Sequence, residues 1–148
     1  MKLLALTFFA TIMLLANKTS IAQVVNIPDK AKTHFAEKYP GATEVDWSNN
    51  VSNYTAKFRL DGKGYEAHYD IDGGWDNTEH QIQKTDLPEA VSASFAKSRY
   101  TDWKLNSIDF VEEPKHPALY RFNLKNGIKK TYLYMDPTGK EVKANSGI

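Results

Sequence analysis

The chain contains no cysteine. Disulfides, thiolate metal ligands and a cysteine nucleophile are therefore excluded, and so is attachment to a membrane through a lipidated cysteine. An oxidising compartment is tolerated but not exploited. There is no surplus of either charge: the formal net charge is +1. A near-neutral chain argues against a nucleic-acid partner, because binding phosphates requires a clear cationic excess. Beyond the N-terminal segment no apolar run approaches membrane-spanning length, so no span is expected once that segment is removed. No Gly-x-Ser-x-Gly elbow and no phosphate-cradling glycine loop occur. Histidine is sparse, at positions 34, 68, 80 and 116. None of the four forms a His-x-x-x-His pair of the kind that ligates zinc, so no metal site is expected. With no recognisable catalytic constellation, neither catalytic residues nor a cofactor is expected.

The N-terminus carries a compartment signal. Lys2 is followed by an almost unbroken apolar run, Leu3 to Ala16. The run is too short for a comfortable membrane span. Ser20-Ile21-Ala22 then places small residues where a signal peptidase reads them. The expectation is a signal peptide over residues 1–22, cleaved after Ala22, with a periplasmic or secreted mature chain. An uncleaved N-terminal anchor is the alternative. Cleavage removes Lys2 and Lys18 and leaves the chain close to neutral.

Two segments of the mature chain begin alike, Asn26-Ile27-Pro28-Asp29 and Asp86-Leu87-Pro88-Glu89. Asn and Asp are N-cap types, Pro is tolerated in a first helical turn, and an acid there suits the helix dipole. Asp86 with Glu89 has the spacing of a capping box. Ile27, Ala31, Phe35 and Tyr39 form an apolar stripe, as do Leu87, Val91 and Phe95. Phe35 and Phe95 are expected to be equivalent core anchors. Pro40-Gly41 stops the first helix, whereas the second is expected to run to about Arg99-Tyr100.

Strand patterns follow each helix. Val45 and Trp47, then Tyr54, Ala56, Phe58 and Leu60, then Tyr65, Ala67 and Tyr69 alternate with polar residues, and a fourth strand begins at Trp75. Asp61-Gly62 and Asp72-Gly73-Gly74 supply turns. The second half repeats the pattern with Ile108 and Phe110; Tyr120, Phe122 and Leu124; Thr131, Leu133 and Met135; and Val142. Asn126-Gly127 and Thr138-Gly139 are its turns. The predicted fold is α+β: two tandem α-β-β-β-β repeats, 23–85 and 86–148, with the helices packed on one face of an antiparallel sheet in two layers. Asp70-Ile71-Asp72-Gly73 has the spaced acids of a calcium loop. It lacks a third ligand and a distant Glu in register, and a hairpin turn accounts for its residues. Trp47, Tyr54 and Trp75 are expected to pack in the core, the alternative for the two Trp being to stack on a sugar or a peptide.

The chain carries Ile27-Pro28 and Leu87-Pro88, Tyr39-Pro40-Gly41-Ala42, Val45-Asp46-Trp47, and Tyr65-Glu66-Ala67-His68-Tyr69-Asp70 with Asp72-Gly73-Gly74-Trp75. Together, in their order and spacing, these elements resemble the PepSY-like family of exported bacterial proteins, whose fold is similar to the β-lactamase inhibitory protein. The second half departs from the pattern at Arg99-Tyr100-Thr101 and in a longer insert from Glu112 to Pro117. The resemblance implies helices on one face of an extended antiparallel sheet and no catalytic residues. It also implies binding of a protein or peptide, inhibition of an extracellular hydrolase being one form of it.

The predicted sheet leaves one face without a helix. If Tyr120, Phe122, Leu133 and Met135 point at the helices, then Arg121, Tyr132 and Tyr134 point away, as do Lys57, Arg59, Glu66 and His68 in the first half. Tyrosines beside arginine on an uncovered sheet have the composition of a recognition patch. The candidate binding residues are therefore Tyr132, Tyr134, Arg121, His68, Lys57 and Arg59, and the partner an unidentified protein or peptide. An ordinary solvated face is the alternative for these residues. A small-ligand or envelope-sensing pocket between the repeats is the alternative function.

Overall fold

The computed structural model describes residues 26–143; the expected signal peptide and its cleavage point lie outside them. Helix α1 spans Asp29–Lys38 and helix α2 Glu89–Ala96. The strands are β1 (Thr43–Asn50), β2 (Asn53–Leu60), β3 (Lys63–Asp70), β4 (Trp75–Ile82), β5 (Lys104–Glu113), β6 (His116–Asn126), β7 (Lys129–Met135) and β8 (Glu141–Val142). All eight form one antiparallel sheet in sequence order. It is continuous through the β4–β5 pair, in which Ile82 lies opposite Ile108 and His80 opposite Phe110. The fold is thus α+β, with two helices and one sheet. Among the described residues no helix is long and apolar enough to cross a membrane.

The alternation read from the sequence is the pleat of these strands. Tyr54, Ala56 and Phe58 are buried beside Ala67 and Tyr69 and close under Ala31 and Phe35 of α1. Phe35 meets Phe58 edge-on with ring centroids 5.0 Å apart, and touches Trp47 at 5.4 Å. A second cluster gathers Leu87 and Val91 of α2 with Ile108, Tyr120, Phe122, Leu124, Leu133 and Met135. Phe95 stacks on Phe122 at 4.4 Å but is only half-buried, whereas Phe35 is 8% exposed. The two phenylalanines are therefore not equivalent anchors.

The helix termini differ from the sequence expectation. Neither Asn26 nor Asp86 caps a helix; Pro28 and Pro88 occupy the N-cap positions, with ψ of 137° and 146° and no side-chain cap. Proline keeps the residue before it extended, so each helix begins two residues later than capping by Asn26 or Asp86 would place it. The Pro28 carbonyl accepts from the amides of Ala31 and Lys32, and that of Pro88 from Ser92. Asp86 instead closes a 3₁₀ turn at Lys84–Asp86, where its carboxylate accepts from the Gln83 amide at 2.9 Å. Its capping box is with Gln83 rather than with Glu89. Helix α2 also stops at Ala96, short of Arg99-Tyr100. The amides of Lys97 and Ser98 bond to Ser94 and Phe95 three residues back, and the Ser98 hydroxyl takes the Tyr100 amide.

The turn glycines hold as read. Asp61 and Gly62 both have positive φ, the geometry of a tight hairpin. Asp70 Oδ1 accepts from the amides of Asp72 and Gly74, so its carboxylate is spent on its own turn. Asp136 does the same for Thr138 and Lys140.

Helix α1 is also tied to the second half. Lys38 pairs with Glu112 of β5 at 2.7 Å and lies 4.5 Å from the centre of the Trp75 ring. His34 stacks on Trp75 at 5.4 Å and shares a hydrogen bond with the Tyr69 hydroxyl at 3.1 Å. Burial lowers the His34 pKa from its ordinary 6.5, and Lys38 lowers it further against the opposing Glu37 and Glu112. The folded chain thus holds His34 neutral where the unfolded chain would accept a proton. The stability this contributes is full above about pH 6.5 and is lost as pH falls through the depressed folded value. Thermal unfolding should show Tm falling from about pH 7 to pH 5. The fall should be shallower in His34→Gln; an unchanged slope would remove His34 as a contributor.

Candidate functional site

Register partners share a side of the sheet. One row runs Lys57–Glu66–Glu79 across β2, β3 and β4, and its neighbour runs Thr55–His68–Asn77. Asp109, Arg121 and Tyr134 align across β5, β6 and β7, with Asn123 and Tyr132 one pleat along. The two groups join through a salt bridge, Arg121 to Glu79 at 2.6 Å.

Tyr132 is 56% exposed, and Tyr134 is half-buried with its ring centroid 6.5 Å away. The Arg121 guanidinium lies 5.4 Å from the Tyr132 ring centre. Its side chain is only 20% exposed, and it also binds Asp109 at 3.0 Å. Burial alone would lower the Arg121 pKa, but the Glu79 and Asp109 carboxylates outweigh it and hold the guanidinium still more firmly charged. Burial raises the Tyr134 pKa, with Arg121 opposing. Arg121 is thus a fixed, doubly paired brace beneath an accessible tyrosine. Lys57 pairs with Glu66 at 3.1 Å. Arg59 stands at the far end of β2 and donates to the Gly62 carbonyl of its own turn. His68 Nδ1 shares a hydrogen bond with the buried Thr55 hydroxyl at 3.1 Å. Tyr132, Tyr134 and Arg121 therefore form one group and Lys57 and His68 a second, with Glu79 between them and Arg59 next to Lys57 at the far end of β2.

This side of the sheet is hollowed. A concavity of about 460 Å³ is walled by Lys57, Arg59, Glu66, Glu79, Gln81 and Asp109, among others. A second, of about 410 Å³, is walled by Asn53, His68, Asp76, Asn77, Glu79 and Arg121. Glu79 lines both, and the two hollows adjoin there as a trough in two parts. Burial raises the pKa of Asp76, and Asp70 adds to the effect.

Sequence reasoning missed three features here. Val111 and Leu119, paired with each other and in line with Glu79, are buried on the side that alternation assigns to polar residues. Leu119 follows Pro117-Ala118 in the departing insert, where the period-2 pattern is broken. Asn77 Oδ1 is buried without a hydrogen-bond partner among the described residues. Glu66, His68 and Glu79 each offer a donor atom within 4.8 Å of the others, although linear spacing gave no hint of ligands. The Glu66-x-His68 step on one strand was visible; its closure by Glu79 depends on strand pairing.

Residues 52–142, more than half of the chain, match the PepSY-like family, described as beta-lactamase-inhibitor-like. Among solved structures, a BLIP-like protein of Bacteroides fragilis is similar with a TM-score of 0.70 at 25% identity, over 82% of this chain and 86% of its own. A DUF2874 family protein of Bacteroides ovatus gives 0.69 at 24% identity, over 80% and 86%. Another from Bacteroides uniformis gives 0.68 at 23%, over 80% and 88%. The last two likenesses bear on fold alone. No curated protein matches the chain. The family match covers more than half of the sequence, and the chain belongs to the PepSY-like, beta-lactamase-inhibitor-like family.

Proposed function

We propose that this chain is an exported, non-catalytic binding module that grips a protein or peptide on the helix-free face of its sheet. In this reading residues 23–85 and 86–148 are tandem copies of one unit, and both helices lie on the same face. Register supports that arrangement. Phe58, which carries Phe35, is level with Tyr65, and the shared row continues through His80, Phe110 and Tyr120 towards Phe122, which carries Phe95. Export rests on the N-terminal run and its small-residue cleavage motif.

The observation that carries the reading is Tyr132. A large aromatic stands 56% exposed over an arginine fixed by two carboxylates, beside a second tyrosine and a trough. An aromatic whose neighbours are already held loses little conformational freedom on contact, which is the property of an interface anchor. Lys57 and His68 extend the surface along the trough, and Arg59 would meet the far end of a long partner. The pairing of the basic side chains with Glu66, Glu79 and Asp109 argues for shape and aromatic contact over net charge as the basis of recognition. The BLIP-like neighbour supports an inhibitor-like role, in which the partner would be an extracellular hydrolase.

The expected result is capture of a protein partner from envelope extract by the wild-type chain. Capture should be lost with Tyr132→Ala/Tyr134→Ala and kept with Lys32→Ala on α1. Capture that survives the double substitution, or no partner at all, counts against the proposal. A second reading, a small-ligand or sensing protein, is favoured by the concavity of about 460 Å³, whose walls run from β2 across the β4–β5 junction to Asp109.

A further inference from the structure

We propose that Glu66, His68 and Glu79 form a binding site for a divalent first-row transition-metal ion, with Zn²⁺ the best match. Their donor atoms lie within 4.8 Å of one another, and all three side chains are half-buried, neither sealed from an ion nor fully solvated. Glu66 and Glu79 are direct cross-strand partners. Two carboxylates facing each other across a sheet repel, so the pairing is unfavourable unless something positive is shared between them. Two cations already offset part of that repulsion, one on each carboxylate. Lys57 engages Glu66 through Oε1 at 3.1 Å, and Arg121 engages Glu79 through Oε2 at 2.6 Å. An ion would take the other oxygens, Glu66 Oε2 and Glu79 Oε1.

His68 is prepared in the same way. Nδ1 is taken by the Thr55 hydroxyl, a buried group on the neighbouring strand, which leaves Nε2 as the unengaged ring nitrogen. A hydrogen bond to one imidazole nitrogen orients the ring and fixes its tautomer for coordination through the other. A second, separate observation points to the same place. Asn77, the register partner of His68 and two residues before Glu79, has a buried amide oxygen with no hydrogen-bond partner among the described residues, and it lines the trough with His68, Glu79 and Arg121. Buried carbonyl oxygens are rarely left unpaired. A metal ion or its bound water would supply the missing partner.

The donor set selects the ion. One imidazole with two carboxylates suits Zn²⁺ and its first-row neighbours, while Ca²⁺ and Mg²⁺ require oxygen ligands throughout. Three protein ligands leave a coordination position open, as in zinc sites that accept an outside group. Lys57 is exposed and its ion pair is weak, so it can swing away as the cation enters. The site needs neither Tyr132 nor Tyr134, so titration of the chain alone tests it without the docking partner, although His68 belongs to both.

The test is calorimetric titration of chelator-treated protein with ZnCl₂, with histidine ring resonances followed by NMR. Saturation at one Zn²⁺ per chain is expected, with the resonances of one histidine of the four shifting. His68→Gln and Glu66→Gln should each weaken binding by about 10-fold or more, in the range found when a site loses a ligand's support. His116→Gln should leave it unchanged, and excess Ca²⁺ or Mg²⁺ should not compete. Thermal unfolding without metal establishes that each variant is folded; Glu66, at the more accessible end, serves if His68→Gln is not. No saturable binding with Zn²⁺ in excess, binding retained in both ligand variants, or binding abolished by His116→Gln would each overturn the proposal.

Discussion

Gly139→Ala should destabilise the fold by about 3 kcal/mol, and Gly73→Ala by nearly as much, whereas Gly62→Ala and Gly127→Ala should cost only about 1 kcal/mol. All four glycines have positive φ, between 58° and 81°. That conformation alone costs an alanine roughly 1 kcal/mol. The difference lies in what surrounds the missing side chain. At Gly62 and Gly127 a Cβ would meet open space. At Gly73 it would come within 2.9 Å of Pro28 Cβ and 3.1 Å of the Ala31 nitrogen, at the first turn of α1. At Gly139 it would press on the Ser94 side chain and lie 2.5 Å from the Ala90 carbonyl of α2. Backbone cannot yield as a side-chain tip can, so overpacking adds roughly 1–3 kcal/mol. The same Asp-x-x-Gly turn, closed by Asp70 in one half and Asp136 in the other, thus seats a glycine against a helix in each. Denaturant unfolding measures all four differences. Equal costs at the four positions would mean that the turns do not bear on the helices.

Phe35→Ala should cost about 3–5 kcal/mol, the range for emptying a large aromatic site in a core. Phe35 contacts Tyr39, Trp47 and Phe58, with ring centroids 5.0–5.4 Å away, and its surroundings include the main-chain-anchored Ala31. Little of that shell can collapse into the space. Phe95→Ala should cost less, about 2 kcal/mol, because its ring is already partly in water and its one ring–ring contact among the described residues is with Phe122. Unfolding of the two variants in parallel checks the ordering. A larger loss at Phe95 than at Phe35 would contradict the packing described for the two helices.

The longer strands were legible where apolar and polar residues alternate, whereas β8, only Glu141–Val142, was read from the Thr138-Gly139 turn and a single apolar residue. Tyr54, Ala56 and Phe58 are an example, and Asp61-Gly62 marks the hairpin that follows them. The helices were legible from Ile27, Ala31 and Phe35 and from Leu87 and Val91, but their starts were not. Asn26 and Asp86 have capping side chains, yet the prolines two residues on set the backbone and occupy the cap positions themselves. What alternation could not give is which residues meet across strands. The exposed Tyr132 followed from its place in β7, whereas the double pairing of Arg121 required Asp109 from β5 and Glu79 from β4. The Glu66–His68–Glu79 cluster likewise exists only in the register of β3 on β4. The burial of Leu119 and Val111 on that side of the sheet is a tertiary property with no local signature.

Tyrosine-directed labelling, read by mass spectrometry with and without the captured partner, tests the binding face most directly. In the free chain Tyr132 should label readily and the fully buried Tyr69 scarcely. In the complex Tyr132 should become protected while Tyr100, after α2, keeps its reactivity. Undiminished labelling of Tyr132 in the complex, with protection appearing at Tyr100 instead, would contradict recognition through the helix-free face.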